Sequence, residues 1–171
     1  IVERMRKSGA VLVGKSNTPE FGLGSHTYNT VFGTTLNAWN PTKSAGGSSG
    51  GAAVALALNM LPVADGSDMM GSLRNPAAWN NIFGFRPSFG RVPFGPTSEV
   101  FVQQLGYEGP MGRTVADVAM LLSVQAGYDA RTPLSIDQDP AMFAKPLAKD
   151  LKGARIGWLG DLRGHLPMED G

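Results

Sequence analysis

The sequence has 171 residues, of which 42% are hydrophobic and 17% are charged, and its formal net charge is +1. This composition is typical of one globular domain and excludes a disordered chain. The balanced charge, with no run of Lys or Arg, argues against nucleic acid or an anionic membrane as a partner, so we expect a small-molecule substrate. The absence of cysteine excludes disulfides and a cysteine nucleophile, and two histidines are too few for a histidine zinc site. We therefore expect neither a metal nor a cofactor.

The chain has no apolar run near the roughly 20 residues that span a bilayer, and it does not begin with a signal peptide. These features predict a cytoplasmic protein. The sequence opens on "IVERMRKSGA", which reads as the end of a helix capped at Gly9. We therefore expect one domain over residues 1–171 that is part of a longer chain.

Helical and strand-like patterns alternate along the first half of the sequence. The apolar, β-branched run Ala10–Gly14 predicts a buried strand, and the alanine-rich run Ala52–Leu58 predicts a helix. A second strand is predicted at Leu61–Ala64, and a short helix opens at Pro76. The order of elements indicates strands connected by helices.

The second half continues the alternation. Thr114 can cap a helix, because Asp117 lies three residues later and an apolar periodic run follows. Tyr128–Lys149, with its Pro and Asp content, predicts a surface loop or linker, and Ala154–Gly160 predicts another strand. Alternating strands and helices predict a layered α/β fold with a mixed, mostly parallel central sheet.

The stretch Ser44–Gly51 contains four glycines and three serines and has three interpretations. A flexible linker is disfavoured, because an apolar helix follows at once. A phosphate loop would need Gly-Lys-Ser/Thr where Gly51 is followed by Ala52 and Ala53. A nucleophile elbow needs a preceding strand and a downstream base, and His165 is the one histidine downstream, which leaves a Ser-His-Asp hydrolase as a weaker alternative.

A second serine-bearing stretch, "ADGSDMMGSLRNPAAWNNIFGFRPSFGRVP" at 64–93, changes the interpretation. Together with "GKSNTPEFGLGS" at 14–25 and "GGSSGGAA" at 46–53, it resembles the amidase signature family. The three motifs occur in the family's order, and the resemblance covers nearly the whole chain. It implies the α/β/α amidase signature fold, incomplete in this chain.

The resemblance implies a Ser-Ser-Lys triad, with Lys15 as the base, Ser48 as the bridging serine and Ser72 as the nucleophile. The two serines are 24 positions apart, which is the interval of the family's motif. Each residue alone has a plainer interpretation: a lysine at the rim of a strand, a helix N-cap and a loop hydroxyl. The combination of the motifs favours the triad.

The implied chemistry is hydrolysis of a carboxylic acid amide through an acyl-enzyme. A serine hydroxyl is a weak nucleophile, so it needs a base within hydrogen-bond reach. In the implied path the proton of Ser72 passes through Ser48 to a neutral Lys15. We expect Lys15 to be buried, because desolvation favours the uncharged amine.

The resemblance also assigns roles to the backbone and to supporting side chains. It implies a cis peptide between Gly47 and Ser48. It implies an oxyanion hole built by the backbone N–H groups of Met69, Met70, Gly71 and Ser72. The pair Met69-Met70 departs from the family, where small residues and a glycine are commoner, and suits an apolar acyl group. Residues expected to support the site are Gly47, Ser49, Asp68 and Arg74, the last two through charge-assisted hydrogen bonds.

Two functions in the family remain open. One is a free-standing amidase acting on a small-molecule amide, favoured by Met69-Met70 and by the stretch 96–110. The other is the glutamine-hydrolysing A subunit of a glutamyl-tRNA amidotransferase. A third interpretation is a truncated, inactive fragment, since we expect the remainder of the polypeptide to complete the site. The resemblance also leaves a homodimer open.

Overall fold

The structure, a computed structural model, describes residues 1–95, 97–99, 101–102 and 104–167. The residues outside this description are 96, 100, 103 and 168–171. The first three fall in the stretch 96–110, which was used to favour an amidase. The helices are α1 (Val2–Lys7), α2 (Gly50–Ala57), α3 (Arg74–Trp79) and α4 (Val115–Gln125). The strands are β1 (Tyr28–Asn29), β2 (Gly33–Thr34), β3 (Val63–Asp68), β4 (Phe83–Gly84) and β5 (Tyr107–Gly112). Short 3₁₀ helices occur at Glu20–Gly22 and Pro140–Ala144.

The main sheet has three strands in the order β3-β5-β4. β3 pairs with β5 over six residues, from Val63 opposite Gly112 to Asp68 opposite Tyr107. Each strand pair in the described ranges is antiparallel, including the small hairpin of β1 and β2. The α/β class is confirmed, whereas the expectation of a mostly parallel sheet is wrong for this part of the chain.

The core lies where α2 and α3 pack on the main sheet. Leu56 of α2, Leu73 beside α3 and Met111 of β5 are fully buried. The small side chains of Ala52 and Ala53 let α2 approach its neighbours closely. The core therefore lies directly beneath the loops that enter α2 and α3, and it fixes where those two loops begin and end.

A second cluster, of the buried side chains Val92, Leu122 and Ala126, forms around the end of α4. Thr114 and Asp117 make the predicted capping box at the start of this helix. At the other end, the Arg4 guanidinium of α1 donates to the carbonyls of Gln125 and Gly127, each at 3.0 Å. These bonds satisfy carbonyls that the helix leaves without intrahelical donors.

The helix and strand predictions in the middle of the chain match observed elements with shifted boundaries. α2 starts two residues before the predicted helix and ends one residue before its predicted end, and β3 begins inside the predicted strand. Pro76 lies in the first turn of α3 instead of at its start. The stretch 128–149 is irregular apart from the 3₁₀ helix, whose Phe143 packs against the cluster around α4.

Two predicted strands are wrong. Ala10–Gly14 and Ala154–Gly160 have no regular secondary structure. Their apolar side chains are exposed: Val11 is 84% and Trp158 is 85% accessible. An apolar run becomes a strand only when its backbone groups find a partner strand, and no described strand pairs with either segment.

Candidate active site

The glycine-serine loop that enters α2 is buried along its whole length, from Ala45 to Gly51. The peptide bond between Gly47 and Ser48 is cis, as the resemblance implies. A Cβ added to Gly47 would lie 2.9 Å from the backbone of His26. The loop is therefore a packed segment, which excludes the flexible-linker interpretation.

Thr27, a residue that the sequence did not single out, bonds to this loop on both sides of Ser48. Its Oγ1 donates to the carbonyl of Gly46 at 2.8 Å and accepts from the N–H of Gly50 at 3.1 Å. Thr27 is only 1% exposed. The one sequence signal is its place in a polar stretch just before β1, which by itself indicates a loop.

Ser49 joins the glycine-serine loop to the second serine-bearing loop. Its N–H donates to the carbonyl of Ser72 at 3.3 Å, and its Oγ lies 3.3 Å from the N–H of Ser67. Ser48 itself is buried, and Ser72 is partly exposed. The fold thus brings the backbones of the two predicted serine motifs into direct contact, although 23 residues separate Ser49 from Ser72.

The loop from Met69 to Leu73 folds around the carboxylate of Asp68, which is completely buried. Its Oδ1 accepts from the N–H of Gly71 at 2.8 Å, and its Oδ2 accepts from the N–H of Leu73 at 3.1 Å. The guanidinium of Arg74 adds a two-pronged contact, with both N–O distances at 3.0 Å. One buried carboxylate therefore fixes the backbone on both sides of Ser72.

These contacts explain the protonation state of Asp68. Burial on its own raises the pKa of a carboxyl group, because it removes water from the charged form. The hydrogen bonds from Arg74 and from the N–H groups of Gly71 and Leu73 outweigh burial and hold the pKa of Asp68 below its ordinary value. The carboxylate is therefore ionised near neutral pH, as its bonds to the loop require.

Arg86 is a second cation at Asp68 that the sequence did not indicate. Its Nε lies 3.4 Å from Oδ1 of Asp68, an ion-pair contact outside hydrogen-bond geometry. Its guanidinium carbon lies 3.4 Å from the centre of the Tyr107 ring. Because Tyr107 pairs with Asp68 in the sheet, Arg86 reaches from the end of β4 across β5 to the start of the Ser72 loop.

The expected oxyanion donors differ in availability. The N–H of Gly71 is already bonded to Asp68, so it is not free for a substrate oxygen. The structure gives no acceptor within the described chain for the N–H groups of Met70 and Ser72. Gly71 has φ +121°, whereas Met69 and Met70 are not among the residues with positive φ. The methionines are therefore compatible with this backbone, and the glycine is needed only at position 71.

Lys15 does not have the surroundings expected of a buried base. Its side chain is exposed, and no hydrogen bond joins it to Ser48 or Ser72 in the described chain. The expectation of burial is therefore wrong, because the run before Lys15 forms no strand that could carry it into the interior. The neighbouring Asn17 is fixed by bonds to Thr35 at 3.0 Å and Asn29 at 2.6 Å.

Lys15 and Ser48 both line a cavity of about 780 Å³ between the extended segment 10–16 and the sheet. Asp65 of β3 and Glu108 of β5 line the same cavity and were not indicated by the sequence. Burial, together with the charge of Asp65, raises the pKa of Glu108 to about 7. The cavity thus contains a carboxyl group that changes charge near neutral pH.

Neither a membrane-spanning helix nor a metal-binding cluster occurs in residues 1–95, 97–99, 101–102 and 104–167. No helix there has the length and apolar character needed to cross a bilayer. Those residues also include no group of three or more His, Cys, Asp or Glu side chains close enough to hold a metal ion.

Curated relatives match most of this chain. The A subunit of glutamyl-tRNA(Gln) amidotransferase from Deinococcus deserti is 44% identical over 156 residues, which is 91% of this chain and 31% of the relative. The corresponding protein from Deinococcus radiodurans is 42% identical over 167 residues, which is 96% of this chain and 34% of the relative. The chain therefore spans about a third of the length of the curated relatives it matches.

Solved structures with a similar fold include three proteins with different names. A bacterial aryl acylamidase of the amidase signature family has a TM-score of 0.76 and 44% identity, over 81% of this chain and 29% of that one. A 6-aminohexanoate cyclic dimer hydrolase has a TM-score of 0.71 and 41% identity, over 75% of this chain and 27% of that one. The A subunit of glutamyl-tRNA(Gln) amidotransferase from Thermotoga maritima has a TM-score of 0.73 and 36% identity, over 80% and 30% respectively.

The family model described as Amidase matches residues 1–170. This match covers both serine loops, the contacts of Ser49 and Asp68 that fix them, and the main sheet. With the fold shared with amidase signature enzymes, it shows that the chain belongs to the Amidase family.

Proposed function

We propose that the protein hydrolyses a carboxylic acid amide, with Ser72 as the nucleophile. In the first half of the reaction a bond forms between Ser72 Oγ and the carbonyl carbon. The amide C–N bond then breaks, and the amine leaves with the proton that Ser72 has lost. Water hydrolyses the resulting ester and releases a carboxylic acid. Membership of the Amidase family supports this chemistry, as does the likeness to an aryl acylamidase and to a cyclic dimer hydrolase.

The observation that carries the proposal is the contact between the two serine loops. The bond from Ser49 to the Ser72 carbonyl puts the residue after Ser48 against the backbone of the nucleophile. The buried carboxylate of Asp68 then fixes the residues on either side of Ser72, Gly71 and Leu73, by accepting hydrogen bonds from their N–H groups. A serine held on a rigid loop beside a second serine is what a proton relay between the two hydroxyls requires.

In the proposed relay, Ser48 takes the proton of Ser72 and passes it to Lys15 as the base. The shared cavity of Lys15 and Ser48 supports this assignment, and the exposure of Lys15 opposes it. To act, Lys15 must turn its amine toward Ser48 and lose its surrounding water. Removing Lys15 therefore tests the relay separately from the nucleophile.

We assign the stabilisation of the tetrahedral intermediate to the N–H groups of Met70 and Ser72, with Met69 as the third donor. Their lack of acceptors in the described chain supports this choice over Gly71. One such donor contributes about 3–4 kcal/mol to lowering the barrier. The side chains of Met69 and Met70 are 49% and 87% exposed and flank the same loop, which favours an apolar acyl group in the substrate.

A second candidate function is the glutamine-hydrolysing subunit of a glutamyl-tRNA amidotransferase. The named relatives from the two Deinococcus species favour it. The apolar Met69 and Met70 beside Ser72 favour the free-standing amidase, because the side chain of glutamine is polar. A panel of hexanoyl anilide, acetyl anilide and glutamine separates the two functions.

Intact-mass spectrometry with a fluorophosphonate probe tests the nucleophile. We expect one probe per chain in the wild type, none in Ser72→Ala and full labelling in Ser88→Ala, a control at an exposed serine. Slow labelling of Lys15→Ala would support Lys15 as the base, whereas labelling at the wild-type rate would assign the base to another group. Labelling that persists in Ser72→Ala, or a wild type that neither labels nor hydrolyses any amide in the panel, would overturn the proposed function.

A further inference from the structure

We propose that Thr27 is a positioning residue for Ser48, acting through the backbone on both sides of it. This inference rests on the proposed function, because it assigns Thr27 a role only if Ser48 takes part in the reaction. Neither the sequence motifs nor the family match distinguishes Thr27 from the other residues of its loop.

The hydroxyl of Thr27 works as donor and acceptor at the same time. It donates to the carbonyl of Gly46 at 2.8 Å, and the carbonyl of Ser48 lies farther away at 3.4 Å. It accepts from the N–H of Gly50, the first residue of α2, at 3.1 Å. A hydroxyl is a small side-chain group with both capacities on a single atom, which valine lacks altogether.

Space in the loop is as restricted as its hydrogen bonds. A Cβ added to Gly50 would overlap Thr27 Oγ1, and a Cβ added to Gly47 would lie 2.9 Å from the backbone of His26. The loop therefore touches residues 26 and 27 with no room for a side chain between them. Thr27 replaces the missing cap of α2, since Ser49 at the N-cap position makes no side-chain bond to the helix.

Thr27 is itself anchored to a separate piece of structure. Its carbonyl accepts from the N–H of Thr35 at 2.9 Å, next to the hairpin of β1 and β2. The hairpin, Thr27 and the serine loop thus form one connected unit. Loss of the hydroxyl leaves α2 and the core in place but releases the backbone at Gly46 and Gly50, on either side of Ser48.

A small displacement of Ser48 is enough to affect the relay. Misplacing a reacting group by about 1 Å costs about 10²-fold in rate. Substrate binding to the Met69-Met70 side of the site does not pass through Thr27. We therefore expect the effect in kcat and in the rate of probe labelling, with KM nearly unchanged.

The test compares Thr27→Val, which keeps the shape and removes the hydroxyl, with Thr27→Ser, which keeps the hydroxyl and removes the methyl group. Both are made in the full chain and assayed on the best amide of the panel, below the unfolding temperature of either. We expect about a 10²-fold loss of kcat in Thr27→Val, with KM within about twofold, and kcat within about threefold of wild type in Thr27→Ser. Hydrogen exchange at the Gly50 amide should be faster in Thr27→Val alone.

Three outcomes would overturn the inference while leaving the proposed function intact. They are wild-type kcat in Thr27→Val, equal losses in both variants, and a change confined to KM. If Thr27→Val does not fold, Thr27→Cys, whose thiol is a weak donor and acceptor, is measured in its place with the same expected direction. If wild-type activity survives Ser72→Ala, the proposed function fails instead, and this inference fails with it.

Discussion

The glycine-serine loop and the segment around Lys15 line the same cavity, but the fold holds them very differently. The glycine-serine loop is buried, and the backbone groups of the two serine loops bond to Thr27, Ser49 and Asp68. The segment 10–16 is exposed, and its apolar side chains have no covering layer in the described chain. The loops obtain their partners from residues that fold beside them, whereas the extended segment would need a neighbouring strand.

This difference shows which parts of the site are rigid. Rigid loops can hold Ser48, Ser72 and the oxyanion donors in place before substrate arrives, which is the arrangement that favours catalysis. The backbone near Lys15 is held by the side-chain hydrogen bonds of Asn17, two residues later, rather than by the side chain of Lys15 itself. Substitutions in the loops should therefore have large effects, and substitutions in the segment 10–16 should have small effects on stability.

Asp68→Asn should have the largest effect on the rate of probe labelling. It removes the charge that binds the side chains of Arg74 and Arg86 and three backbone N–H groups around Ser72. We expect probe labelling to slow by about 10²-fold or more and the free energy of unfolding to fall by about 2–3 kcal/mol. The stability loss is below that of a fully buried pair because Arg74 is half exposed. The control is Asp65→Asn, and equal labelling rates in both variants would contradict the role of Asp68.

The same substitution gives a test by pH. The pKa of Asp68 is lowered in the folded state, so its stabilising contribution is complete above the unfolded pKa of about 3.9 and is lost as pH falls through the folded value. Urea unfolding from pH 7 into the acid range should therefore show wild type and Asp68→Asn converging. A constant difference between them would contradict this linkage.

Glu108→Gln should have the next largest effect, with the opposite dependence on pH. Burial first, and then Asp65, raises the pKa of Glu108 to about 7 in the folded state. A raised folded pKa stabilises the protein below the unfolded pKa of about 4.3, and this contribution is lost as pH rises through the folded value. As pH rises from 5 to 8, the free energy of unfolding of Glu108→Gln should increase relative to that of wild type by on the order of 2–3 kcal/mol. Glu20→Gln, at an exposed position, should show no such change in urea unfolding.

Gly71→Ala and Gly14→Ala compare the Ser72 loop with the segment 10–16 by the same substitution. Gly71 has φ +121°, and an added Cβ would lie 2.7 Å from the side chain of Asn75. Gly14 has no atom within 4 Å of an added Cβ. We expect Gly71→Ala to lose about 1–3 kcal/mol of unfolding free energy and most of its labelling rate. Gly14→Ala should stay within about 0.5 kcal/mol of wild type in the same titration.

Val13→Thr should have the smallest effect. Val13 is 72% exposed, so the substitution should change the free energy of unfolding by less than about 0.5 kcal/mol. Leu73→Ala, in the core beside the Ser72 loop, should lower the free energy of unfolding by about 2–5 kcal/mol. A loss of similar size in Val13→Thr would show that the segment 10–16 is covered in the protein in solution.

Local motifs predicted much of the serine loops. The resemblance implies the cis bond between Gly47 and Ser48, whereas the hydrogen bonds between Asp68 and Arg74 and the capping box at Thr114 are predicted from residues close together in sequence. Prediction failed for contacts that join distant segments. Thr27 lies 23 positions from Gly50, and Arg86 reaches Asp68 across a strand that follows it in the chain. Neither side chain belongs to a pattern that spacing could reveal.

The family followed from the resemblance carried by three sequence motifs. The α/β class followed from the alternating helical and strand-like patterns, because capping residues and apolar periodicity act over short distances. The antiparallel pairing of the described strands, the exposure of Lys15 and the burial of Glu108 beside Asp65 emerged only from the folded chain. Strand pairing and burial depend on which distant segments meet. An apolar run such as Ala10–Gly14 has the composition of a strand but acquires that structure only when another strand satisfies its backbone.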